Sequence, residues 1–277
     1  MEVKAFTKPN PKYKILNLPE EDCFRFDKKL GIFAVADGIT RDPEGIIEIP
    51  GLLEVSEIES VIENYPRPSP AGIAAGVFCD CFLDFLKKEK NIKKGFKFCN
   101  KEIKKLNDEN NPHPDYLVND FWACVGAGGF VFDGKLYWGF VGDCGVAVFD
   151  KKGKLKFKTK DEVVSKKRGK EIENKYNTEF KFAKGRKITR SLYRNNPANP
   201  LAYGALTGEK NAEGYFKFGC LDLVEGDFVV FYSDGFVSLL FSKDFNIARE
   251  FENLEDYFEE GSWGIDGGEG TLICAKI

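Results

Sequence analysis

Three apolar runs in this 277-residue chain close on an aspartate flanked by glycine. GIFAVADG (Gly31–Gly38) ends in Asp37-Gly38, and FVVFYSDG (Phe228–Gly235) ends in Asp234-Gly235. Between them, LYWGFVGDCG (Leu136–Gly145) carries Asp143 directly after Gly142. Continuous apolar runs of about five to eight residues, rich in Val, Phe and Tyr, read as strands buried on both faces. A carboxylate at the tip of such a strand has rigid backbone behind it and can be aimed. Several aimed at one point repel unless a cation lies between them, which calls for a hard metal with oxygen ligands. Taken singly, each Asp-Gly reads first as a hairpin turn. The triple occurrence on buried runs favours the metal.

Elements able to position these tips are visible along the chain. PRPSP (Pro66–Pro70) starts a helix whose Ala71, Ala74, Ala75, Phe78, Phe82, Phe85 and Leu86 share one face. A second helix places Ile92, Phe96, Cys99, Ile103 and Leu106 at spacings of three and four, and stops in the breakers NDENNPHP. From Asp120 to Phe149 the pattern is β, with a hairpin turn at Asp133-Gly134. The lysine-rich Lys151–Lys170 predicts an exposed hairpin edge or arm. Phe245–Glu260 predicts a helix with Ile247, Phe251, Leu254 and Phe258 inward. Gly126-Ala127-Gly128-Gly129 lacks the Lys-Ser/Thr of a phosphate loop and reads as close strand packing.

Bulk properties narrow the function. Hydrophobic residues make up 43% of the chain and charged ones 31%, as in an ordinary globular protein. A net charge of −3 excludes nucleic-acid binding through bulk positive charge. The eight cysteines lack CxxC spacing and read as reduced thiols, several of them small hydrophobes in strands (Cys124, Cys144, Cys220, Cys274). No signal-peptide or membrane-spanning pattern is expected, so the reading is a cytoplasmic protein that is not membrane-bound. The one histidine, His113, stands between prolines and reads as a surface residue. Histidine-dependent hydrolase and zinc mechanisms therefore have little material, and the loop of Cys-dependent phosphatases (Cys, five residues, Arg) is absent from the sequence.

In order along nearly the whole chain, these residues resemble the metal-dependent serine/threonine protein phosphatases of type 2C, including their bacterial and archaeal branches. Glu21-Asp22 is similar to the family's Glu-Asp pair, FAVADG to its Asp-Gly metal motif and VGDCG to its Gly-Asp-Ser segment. FVVFYSDGF is similar to its Ser-Asp-Gly strand, Ile188–Glu209 to its Thr-Arg-x-x-Gly region, and EGTLICAKI to its last strand. The resemblance implies an α+β fold over 1–277, a four-layer α-β-β-α sandwich of two antiparallel sheets flanked by helices. It implies removal of phosphate from phosphoserine or phosphothreonine in proteins by a metal-activated water. It also implies Mn²⁺ or Mg²⁺, two or three ions per chain, in a monomer. Asp37 would bridge two ions and the Gly38 carbonyl would add a ligand. Asp234 would hold the first ion, and Glu21 and Asp22 would reach the second through waters. Asp143 would help to hold a weaker third. A non-catalytic regulatory member and a small-molecule phosphatase are the alternatives.

The chain departs from that pattern at three places. Asn17 stands where many members carry a phosphate-clamping Arg; Arg41 is the preferred substitute, with Lys14, Arg25, Arg190 and Arg194 behind it. Ile39 replaces a His that the bacterial branches also lack. Gly268 stands where a metal-binding Asp is usual. Glu269 is expected to close the site instead, ahead of Asp266, because glutamate is longer by one methylene and adjacent glycines free the backbone.

Overall fold

The computed structural model describes residues 1–9, 17–39, 65–110, 122–163, 166–177, 192–260 and 269–277. Ten strands form two antiparallel sheets of five among the described residues. One is ordered β2 (Cys23–Asp27), β3 (Ile32–Gly38), β4 (Cys124–Phe132), β5 (Lys135–Val141), β8 (Lys217–Asp222). The other is ordered β1 (Glu2–Lys8), β10 (Gly270–Lys276), β9 (Phe228–Tyr232), β6 (Gly145–Phe149), β7 (Leu155–Lys158).

Period-two alternation decides what each strand faces. On β3, Ile32, Ala34 and Ala36 meet the helices α1 (Pro70–Lys88) and α2 (Ile92–Asn110). Phe33 and Val35 turn the other way and pack on Val229, Phe231, Ile273 and Ala275 of the second sheet. Phe33 stacks on Phe231 with ring centroids 5.5 Å apart, which pins the two sheets face to face. The outer face of the second sheet (Phe6, Val230, Tyr232, Leu272, Cys274) is covered by the helical segments between residues 236 and 258. The expected helix–sheet–sheet–helix layering is the architecture observed. Each buried Phe in these three interfaces contributes about 2 to 3 kcal/mol.

Local sequence explains the helix that matters most here. Ser69 caps α1 by accepting from Gly72 N at 3.0 Å, and Pro70 supplies a first residue that needs no N–H partner. Phe78 and Phe82 then lie against Gly126 and Gly128 of β4, where a Cβ would come within 2.8 and 2.4 Å of the rings. The glycine cluster is strand packing, as its sequence implies. Asp133 and Gly134 both have positive φ (50° and 68°), the hairpin geometry expected of Asp-Gly.

Three expectations need adjusting. The segment from Phe245 to Glu260 is not one helix. Ile247–Glu250, the 3-10 turn Phe251–Asn253 and Leu254–Glu260 follow one another, and Asn246 caps the first by accepting from Ala248 N and Arg249 N. Breaking the helix keeps Ile247, Phe251, Leu254 and Phe258 all buried on one sheet. α2 runs into its breakers as far as Asn110, because the buried Asn107 amide donates to Ile103 O, Trp122 O and Thr207 O and accepts from Trp122 N. Cys220 is exposed on the edge strand β8, so it is no core residue; all eight cysteines are free thiols. Of the lysine-rich stretch, β7 forms a sheet edge and Lys166–Tyr176 opens a third helix, α3. Among the described residues no helix is long and apolar enough to cross a membrane.

Candidate functional site

The alternation that builds the seam between the sheets also places its polar end. Continuing the inward set of β3 one step past Phe33 and Val35 gives Asp37. The same parity carries Phe24 to Asp22, Val229 and Phe231 to Ser233, and Ile273 to Thr271 and Glu269. Register puts these tips at one end: Cys23 pairs with Ala36, Leu272 with Tyr232, and Gly145 with Tyr232. Asp37 and Asp234, the tips of two of the apolar runs, do not converge from neighbouring strands of one sheet, as the runs alone suggest. They come from facing sheets. Asp143 lies in the turn where the chain crosses from β5 to β6, that is, from one sheet to the other, with Gly142 at φ 79°. Asp234 begins a 3-10 turn just beyond β9 and is exposed.

Electrostatics show that these carboxylates sense one another. Burial pushes Asp37 well above the usual carboxylate range, and the charges of Asp22, Asp234, Asp143 and Glu269 add to the rise. Burial raises Asp22 to about 7, opposed by hydroxyls of Ser233 and Thr271 and reinforced by Asp234. Asp143 rises to about 7, first through burial and then through Asp234 and Asp161. Glu269 rises to about 8 through burial and Asp22, while backbone N–H groups of Glu21 and Asp22 pull it back. Burial and like charge together favour a site that gains from a cation. No group of three or more His, Cys, Asp or Glu side chains among the described residues forms a ready metal cage.

Two side chains on the second-sheet side, Glu269 and Ser233, are tied to the first. Glu269 accepts from Glu21 N (2.8 Å) and Asp22 N (3.2 Å), one bond to each oxygen. The buried Ser233 hydroxyl donates to Asp22 Oδ2 at 2.7 Å and accepts from Thr271 N at 2.8 Å. Thr271 Oγ1 lies 2.8 Å from Thr7 Oγ1, extending the chain of hydroxyls into β1. Glu21 is itself buried, and Tyr65 Oη donates to it at 2.7 Å. Gly38 N donates to Glu21 O at 3.1 Å, and a Cβ at Gly38 would stand 2.6 Å from both Ala71 and Glu21 backbone. Only glycine lets the end of β3, the Glu-Asp pair and the first turn of α1 approach this closely.

Glu21, Asp22, Asp37, Gly38, Asp143, Asp234 and Glu269 thus all belong to this end of the seam. Arg41, Asp266, Gly268, Arg190, Lys14 and His113 lie outside the described residues. Asn17 has left-handed backbone (φ 50°), and its carbonyl accepts from Arg67 Nη2 at 2.5 Å. A guanidinium therefore does reach the Asn17 position, from a residue the sequence reading passed over. Ser233, Thr271 and Tyr65 were passed over too. Strand parity was the available signal for the first two; nothing local marks Tyr65. Ser233→Ala should remove one of the two hydroxyls that face Asp22 and leave Thr271 N without its acceptor in a buried place. About 1 to 3 kcal/mol of stability should be lost, read as a lower midpoint in urea, with weaker Mn²⁺ binding by calorimetry.

No family model matches the sequence, and no curated protein sequence matches it. Solved structures do match the fold. The serine/threonine phosphatase PstP/Ppp of Mycobacterium tuberculosis superposes with a TM-score of 0.58 at 14% identity, covering 100% of this chain and 98% of that one. The catalytic domain of PstP in complex with two manganese ions gives 0.56 at 14%, covering 99% and 96%. RsbX in complex with magnesium gives 0.52 at 11%, covering 98% and 93%. The chain therefore has the fold of these structures, the phosphatase fold that its resemblance to the type-2C enzymes implies.

Proposed function

We propose that the whole chain forms one phosphatase domain, a divalent-metal-dependent hydrolase of phosphoserine and phosphothreonine esters in proteins. One observation carries the reading. Carboxylates from both sheets, with Asp37 at their centre, meet at one end of the seam and raise one another's affinity for positive charge. These donors are oxygens, which suits Mg²⁺ or Mn²⁺ rather than a softer ion. Two of the solved structures with this fold hold manganese or magnesium.

Asp37 would bridge two ions, with the Gly38 carbonyl beside it and Asp234 on the first ion. Glu21 and Asp22 would address the second through water, and Asp143 a weaker third. Glu269 keeps lone pairs beyond those used by the two N–H groups, so it both fixes Glu21-Asp22 and closes the site from β10. When bound, such ions supply a nucleophilic water at neutral pH and offset the charge of the phosphoryl oxygens. The chain holds and orients them: Ser233 aims Asp22, Tyr65 aims Glu21, and Gly38 lets the loops close. Arg41 and Arg67 are the guanidinium groups proposed to meet the substrate phosphate.

The test is hydrolysis of a phosphothreonine peptide and of para-nitrophenyl phosphate with Mn²⁺ or Mg²⁺. Turnover should vanish in EDTA and return with added metal. Activity that survives exhaustive chelation would overturn the metal mechanism. A regulatory, non-catalytic reading gains from Asn17 and from the backbone bonds that occupy Glu269. Metal binding without hydrolysis would establish that reading in place of ours.

A further inference from the structure

One pair of thiols lies immediately behind the carboxylate cluster and has no part in it. Cys23 follows Asp22 and opens β2; Cys79 lies on the face of α1 that covers this strand. Cys79 is fully buried, and its Sγ lies 3.4 Å from the Cys23 carbonyl oxygen. The Cys79 thiol donates to that carbonyl, so the two residues meet directly where α1 packs on β2. Cys23 is partly open to solvent, and the Arg25 guanidinium donates to its sulfur at 3.3 Å. That guanidinium is held in place by a 2.8 Å bond from Nε to Asp80, one residue after Cys79. The arrangement pairs an accessible sulfur beside a fixed positive charge with a second sulfur that solvent does not reach.

We propose that Cys23 and Cys79 form a peroxide-responsive dithiol that closes into a disulfide. Cys23 sulfur attacks one oxygen of a hydroperoxide such as H₂O₂; the O–O bond breaks, water leaves after one proton is taken up, and Cys23 becomes a sulfenic acid. The Cys79 thiol then attacks that sulfur, the S–O bond breaks, and a second water leaves. In sum two thiols are oxidised, one peroxide is reduced, and two waters form. Shortening the sulfur separation to about 2.05 Å draws β2 and α1 together. The displaced segment is the one that carries Glu21 and Asp22, so the oxidised protein has a disturbed carboxylate cluster. This last consequence rests on the proposed function; the bond itself does not.

The experiment treats the intact protein with stoichiometric H₂O₂, blocks remaining thiols with iodoacetamide and maps them by mass spectrometry. Cys220, the one exposed thiol, is the internal control. The expected result is a Cys23–Cys79 linkage with a loss of two hydrogens, formed while Cys220 is still alkylated. Dithiothreitol should reverse it, and Cys23→Ser and Cys79→Ser should each abolish it. In the same samples, Mn²⁺ affinity should fall at least about tenfold on oxidation and recover on reduction. Oxidation at Cys220 first, or Cys23 advancing to sulfinic acid without linking to Cys79, would overturn the proposal. Linkage with unchanged Mn²⁺ affinity would overturn its regulatory part, and linkage in a protein without phosphatase activity would uphold the dithiol while the function fails.

Discussion

Asp37→Asn is expected to lower metal-dependent hydrolysis about a hundred-fold or more, while leaving the metal-free fold as stable as the parent or more so. Asparagine keeps the size of aspartate and removes its charge. A bridging carboxylate contributes to both ions at once, so its loss should cost about 3 kcal/mol or more of transition-state stabilisation. The stability half has the opposite sign for the same reason. Burial and the charges of Asp22, Asp234, Asp143 and Glu269 hold Asp37 well above the usual carboxylate range, so its charged form is a burden on the metal-free protein. A neutral amide removes that burden. Asp234→Asn should follow the same pattern with a smaller gain in stability, because Asp234 is exposed. Steady-state rates with Mn²⁺, together with melting in EDTA, decide both halves. Parental activity in Asp37→Asn would remove it as the bridge; a large fall in its metal-free melting temperature would show that the carboxylate is structural.

The legible part of this molecule was its local periodicity. Continuous apolar character along GIFAVADG and FVVFYSDG marks strands buried on both faces with an acid at the tip, and spacing of three and four marks the faces of α1 and α2. The elements and the carboxylates could be named from such patterns because each is encoded within about ten residues. What could not be read was the pairing across the sandwich. Asp37 and Asp234 belong to opposite sheets, and that relation is set by strand order, which no local pattern carries. Asp143 looked like a third strand tip, yet it occupies a crossing between sheets, where Gly142 supplies the turn. The bonds from Glu21 N and Asp22 N to Glu269 span 248 and 247 positions in sequence. Side-chain length and the adjacent glycines suggest Glu269 as a ligand; only the fold shows it holding the backbone of Glu21 and Asp22. Asn107 makes the same point for the core, since a breaker by propensity becomes a buried helix residue when four partners meet its amide.

Metal-free protein should melt at a lower temperature at pH 8 than at pH 5, by about 5 °C or more, and added Mn²⁺ should erase most of the difference. In the unfolded chain the aspartates and Glu269 titrate near their ordinary values of 3.8 and 4.5. In the folded chain Asp22 and Asp143 are pushed up to about 7 and Glu269 to about 8, burial being the first cause in each case. Between those limits the folded state binds more protons than the unfolded one, so stability falls as pH rises. The loss begins above pH 4, and the share carried by Asp22, Asp143 and Glu269 is complete once Glu269 has ionised, just past pH 8. This slope is opposite to that of a protein held together by salt-bridged carboxylates, whose stability rises over the same acidic range. Under the proposed function Mn²⁺ would bind the ionised cluster of the folded state, so its stabilisation should be greatest at the alkaline end. Asp37→Asn, which removes one member of the cluster, should flatten the slope in EDTA. The measurement is calorimetric melting from pH 5 to 8 with and without Mn²⁺. A melting temperature in EDTA that stays level or rises over this range would show that these carboxylates do not share one buried field, and the metal reading would lose its electrostatic basis.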